Sequence, residues 1–158
     1  MAAAGKWKMY EAAKLDWANG LIDWDTHTFR VGLYLSTSNV NTLSGTNNTL
    51  AAATNQVAGS FGYTQLADGA GKAVTITTAN AGGTITIDET TNPVWTAAGG
   101  SIVARFAVLM DDSHASNMFV AVCLLDTAPA DVTATDTNTL TITQNASGIF
   151  TFSGGAVD

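Results

Sequence analysis

The sequence predicts a mainly β fold, an antiparallel β-sandwich or jelly-roll-like barrel with one N-terminal α-helix, and three observations carry that prediction. Apolar residues recur at every second position in a series of short runs, with Thr filling many of the alternate places. Clusters of Gly, Asn, Asp and Ser separate the runs, and these residues supply tight turns. Only one stretch has apolar residues at helical spacing. About eight short strands with frequent turns is the pattern of sandwiches and barrels. At 158 residues the chain is read as a single domain, 1–158, with a helix over 6–19 and a β body over 28–152.

The helix is expected from Lys6 to Asn19. Met9, Tyr10, Ala13 and Trp17 fall on one arc of a helical wheel, Trp7 lies at its margin, and Asn19-Gly20 supplies the stop. The period then becomes two. In "TFRVGLYL", Phe29, Val31, Leu33 and Leu35 share one face of a strand. Ser36 to Ala58 is rich in Ser, Thr, Asn and Ala and reads as a long surface excursion, with a short helical turn near Leu50 to Ala53.

Strands are expected again at Tyr63–Leu66, Lys72–Thr77 and Gly83–Asp88. "ANAGG" forms the turn between the last two, and "NPVWTAAGG" is a connector in which Pro93 discourages a ladder. Ser101 to Asp126 holds two apolar runs around a loop at Asp111–Asn117. Each run is apolar at odd and even positions alike, so this hairpin needs cover on two faces. The helix is the element of the chain suited to cover one, and a neighbouring subunit is the other candidate. A turn-rich link follows, then a last pair of strands, "TLTITQ" and "GIFTFS", joined through Asn145 to Gly148.

Composition narrows function. Only 12% of residues are charged and 46% are hydrophobic, so exposed faces are solvated by hydroxyls and amides rather than ions. A net charge of −7 repels phosphate backbones and disfavours nucleic acid as a partner. Lys6, Lys8, Glu11 and Lys14 interrupt the N-terminal stretch, which therefore lacks a signal-peptide core. No apolar run approaches the roughly 20 residues of a membrane span.

The inventory for catalysis is thin. His27 and His114 have no second His or Cys at ligand spacing, so each reads as a loop histidine. Asp111, Asp112 and His114 cluster at a hairpin tip, where Asp and Ser are ordinary turn residues. The acid pairs Asp23/Asp25 and Asp88/Glu89 lack a visible cleft to perturb them. Cys123 is flanked by Val122 and Leu124 and reads as a structural thiol. No catalytic, cofactor-binding or metal-ligating residue is assigned, no cofactor is expected, and the protein is expected not to be an enzyme.

Three stretches carry a resemblance. "LDWANGLIDWDTHTFRVGLYLSTSN" resembles the opening of a family of small virion structural proteins of tailed bacteriophages, in which a short helix leads through an aspartate-rich turn into a strand ending in a "VALY"-like sequence. "NPVWTAAGGSIVARFAVLMDD" resembles that family's middle, and "TLTITQNASGIFTF" its end. The resemblance implies a virion component of the capsid decoration (cement) kind, made in the host cytoplasm and placed on the capsid surface. Its implied partners are the major capsid protein and copies of itself, a trimer being the expected homo-oligomer. A tail or neck component is the alternative within virions. A carbohydrate-binding sandwich that uses the four tryptophans as stacking platforms is the alternative outside them.

Overall fold

A computed structural model describes residues 5–43, 48–67, 70–128, 130–144 and 148–153. The fold is mainly β and sandwich-like rather than a closed barrel. The larger sheet has five strands: β1 (Lys8–Met9), β2 (Phe29–Tyr34), β3 (Lys72–Val74), β8 (Phe106–Asp111) and β9 (Met118–Leu124), in the order β1-β9-β8-β2-β3. The smaller one is β12 (Phe150–Ser153), β5 (Thr84–Glu89) and β4 (Ile76–Ala81), with β5 in the middle. Two ribbons complete the body. β10 (Val132–Ala134) pairs with β7 (Ile102–Ala104), and β11 (Thr139–Thr141) pairs with β6 (Val94–Thr96). All these pairings are antiparallel.

The single helix, α1, spans Glu11–Ala18 and stops at Asn19, whose N–H bonds Leu15 O, with Gly20 at φ 74°. The helix was expected to begin at Lys6. Instead Lys8 and Met9 form β1 on the open edge of β9, opposite Val122 and Ala121. The reason lies in β9, whose outward N–H and C=O groups need partners at that depth. Trp7 and Met9 are buried and Lys8 is exposed, an alternation that suits a strand as well as a helix.

Other expectations are corrected. Tyr63–Leu66 is not a strand, although Tyr63 and Leu66 are buried. The run Lys72–Thr77 splits at Thr75 into β3 and β4, which belong to different sheets. The connector after Pro93 and the link after Asp126 each contain a short strand, β6 and β10. The final two strands do not pair with each other, because β11 joins β6 and β12 joins β5. Their supposed turn at 145–147 lies outside the described residues.

The hairpin β8–β9 is covered twice, and by this chain alone. Its register places Phe106, Val108, Met110 and Phe119 on one face with Tyr34 and Gly32 of β2. There Tyr34 meets Phe119 edge-on at 5.8 Å between centroids. Leu66 presses on Gly32 so closely that a Cβ there would lie 2.4 Å from its Cδ1. Tyr63 locks this cover by accepting hydrogen bonds from the Leu33 N–H (2.8 Å) and the Gln56 amide (2.9 Å).

The other face carries Ala107, Leu109, Ala121 and Cys123 beside Phe29, Val31 and Leu33. Phe29 stacks on Trp24 at 5.1 Å, and Trp24 in turn meets Phe150 of β12 and Trp17 of α1. Trp17 also packs 4.7 Å from Phe152. The helix, which lies against β9, and the smaller sheet therefore share this cover and meet each other through Trp17 and Phe152. No neighbouring subunit is needed to bury this hairpin, whose first strand is buried throughout.

Trp24 is the keystone of that aromatic chain and is only 6% exposed. Trp24→Ala should lower stability by about 3–5 kcal/mol, the range for truncating a buried aromatic, measured by denaturant unfolding. Trp17→Ala, at a half-buried position, should cost less.

Candidate functional site

Two places gather polar side chains into the body. The first is the tip of the β8–β9 hairpin. β8 ends on Asp111, whose side chain is fully buried. Its Oδ1 accepts the N–H groups of Ser113 (3.0 Å) and His114 (3.1 Å), which is how an aspartate closes a turn. Its Oδ2 lies 2.7 Å from His27 Nδ1, within hydrogen-bond distance. Arg30 Nε donates to Asp112 Oδ2 at 2.7 Å, Thr28 N–H donates to Ser113 Oγ at 2.9 Å, and His114 Nε2 lies 3.6 Å from Asp16 of α1. Asp23 opens the turn before β2, and its carboxyl is held below the ordinary value, first by the N–H of Asp25 and then by Thr26.

The three residues singled out at this tip thus take separate partners: Asp111 the turn and His27, Asp112 the guanidinium of Arg30, His114 the helix. His27 is part of the network and is no free loop histidine. An imidazole held by a buried carboxylate is two-thirds of a hydrolytic triad. Among the described residues, however, no Ser, Thr or Cys side chain hydrogen-bonds the other ring nitrogen of His27. Nor does any group of three His, Cys, Asp or Glu side chains there stand together as a metal site. What the arrangement does physically is tie three segments, the turn before β2, α1 and the hairpin tip, into one unit.

The second place is Glu89, at the base of the smaller sheet. It is 8% exposed, and among the described residues neither carboxylate oxygen has a hydrogen-bond partner. Burial pushes its acid up to about 7 from 4.5; the neighbouring Gln144 amide opposes this and Asp88 adds to it. Gln144 is itself oriented by Trp7, whose Nε1–H donates to its Oε1 at 2.7 Å. Gln144 and Trp7 line an open cleft of about 340 Å³ with Gly5, Lys6, Ile149 and Phe150. Sequence reading set the pair Asp88/Glu89 aside because nothing local separates Glu89 from its half-buried neighbour.

The remaining candidates are placed plainly. Cys123 is buried, its thiol donates to Gly5 O at 3.2 Å, and burial raises its pKa to about 12, so it is a neutral thiol at physiological pH. Trp7, Trp24 and Trp95 are buried and Trp17 is half-buried, so none stands as an open stacking platform. Compared with known proteins, the chain matches no family model, no curated protein and no solved structure.

Two measurements follow from these geometries. Asp111→Ala strands two turn N–H groups and the His27 ring, and should cost about 3 kcal/mol in denaturant unfolding, with Asp111→Asn costing less. Glu89 has a raised folded pKa, so its contribution is fully present below 4.5 and is lost as pH rises towards 7. Glu89→Gln should therefore melt like the parent in mild acid and above it in mild alkali, the gap opening across that window.

Proposed function

We propose that this chain is a non-enzymatic structural protein of a bacteriophage virion, a capsid decoration protein that binds the major capsid protein and stabilises contacts between capsomers. The resemblance supports this reading, because its three stretches fall on α1 with β2, on β6 to β8, and on β11 with β12. Those elements build both sheets and the aromatic chain between them.

The observation that carries the proposal furthest is the outer face of the smaller sheet. By register, Thr77, Ala79, Ala81, Thr84, Thr86, Thr151 and Ser153 share that face, with Asp88 at its base. Such a surface offers methyl groups and hydroxyls with almost no charge. Burying it against a broad protein shell costs little desolvation, which suits an adhesive protein better than a soluble enzyme.

Self-association belongs to the same reading. Its expected trimeric form drew on the low charge fraction together with a hairpin apolar on both faces, and because that hairpin is covered within the chain, a different surface has to mediate it.

The test is to mix the purified full chain with isolated capsid shells and, separately, with tails, and to follow co-sedimentation. Binding to shells is the expected result. Binding to tails alone would move the protein to the tail or neck, and binding to neither would overturn a virion role.

A further inference from the structure

The hairpin β4–β5 is an arm. Five of the six residues of β4 are exposed, and the exposed stretch includes Thr78 and Asn80, which the register places on the sheet's inner side. Gly82 and Gly83 turn it tightly, at φ 57° and 79°. Past Ile76, β4 has both faces in solvent and is held by β5 alone among the described strands. Among the described residues its outer edge is also open. The bond from Thr90 N–H to Thr75 O sets the phase of the ladder, so Thr75, Thr77, Ala79 and Ala81 bond to β5. Ile76, Thr78 and Asn80 then turn their N–H and C=O groups outward.

Exposed edges are ordinarily guarded by lysine, proline or a bulge. This one has none of them, since no residue from Ala73 to Ile87 is charged or proline. By contrast, the opposite edge of the larger sheet carries Lys8 on β1.

We propose that two copies of this chain associate by pairing β4 with β4, antiparallel across a two-fold axis, joining two three-stranded sheets into one. The self-association already proposed makes a second copy the occupant, and charge says where it can meet the first. Two molecules of net charge −7 repel over most of their surfaces, and this neutral strip lets them meet without opposed charges. Geometry agrees, because an antiparallel strand paired with itself is self-complementary and closes after two subunits. The proposal rests on the self-association in the functional reading but is tested without capsids.

Sedimentation equilibrium of the full chain should give a concentration-dependent mass of two subunits. Thr78→Pro removes an outward N–H that the β4–β5 ladder does not use, a change edge strands tolerate. Thr78→Lys places like charges at the junction. Each should weaken association by at least about tenfold while circular dichroism and melting stay as in the parent. If proline disturbs the fold, the lysine variant decides. A monomer at every concentration, a three-subunit mass, or open-ended aggregates would overturn the two-fold contact, as would dimers that persist in both variants. Shell binding by a protein that stays monomeric would leave the decoration role standing while removing this contact.

Discussion

Every residue of β8 is buried, and so are all but the last of β9. A pair of strands with no solvated face obliges the rest of the chain to supply two lids, and most of the architecture answers that demand. The excursion after β2 returns along its edge, where Val57 N–H bonds Leu33 O, and continues to Leu66 over Gly32. On the far side the turn before β2 and the smaller sheet meet through Phe29, Trp24 and Phe150. The edges of β9 are closed in the same economical way, by β1 along one part and by a bridge from Thr49 to Met118 along another. Interiors of this kind are close-packed, so each lid depends on the shape of the other through the sheet between them.

Polar groups inside such a body are either fully tied or a liability, and this protein has both. Asp111 is tied: two backbone donors and an imidazole meet a carboxylate with no access to water. It secures the tip of the one hairpin on which everything packs. Glu89 is the opposite case, a buried acid beside an amide whose oxygen is already taken by Trp7. Its protonated form suits the site, because a neutral carboxyl avoids the cost of a desolvated charge. The corner where the N-terminal segment, β5 and the residues after β11 meet is therefore sensitive to pH. The proposed role draws on surface instead of cleft. The same Thr-rich composition that reads as a β habit becomes, on the smaller sheet, a neutral outer face and an unguarded edge.

The fold class was legible in the sequence, and so were β2, β5, α1 in its C-terminal half, the β8–β9 hairpin and the short helical turn found at Leu50–Ala52. The candidate sites were legible only in part. The tip residues Asp111, Asp112 and His114 were visible as a cluster, but His27 stands 84 positions from Asp111 and joins it only because β2 pairs with β8 in a register that sets Phe29 opposite Asp111. Glu89 carried no local mark at all. Likewise the stripe of Met9, Tyr10, Ala13 and Trp17 has helical spacing, yet its first members went to the edge of β9.

By itself the sequence determined which residues face inward, because period two and period 3.6 are local properties of a chain and apolar side chains leave water wherever it leads. It also determined where the chain turns, since glycine and asparagine permit conformations that other residues resist. Tertiary structure alone decided which strand lies beside which. β11 and β12 sit close in sequence and part company for β6 and β5, and Thr75 divides one apolar run between two sheets. The physical reason is that backbone donors and acceptors are the same in every strand. They accept any partner, so only the simultaneous packing of both lids on β8 and β9 selects among the pairings.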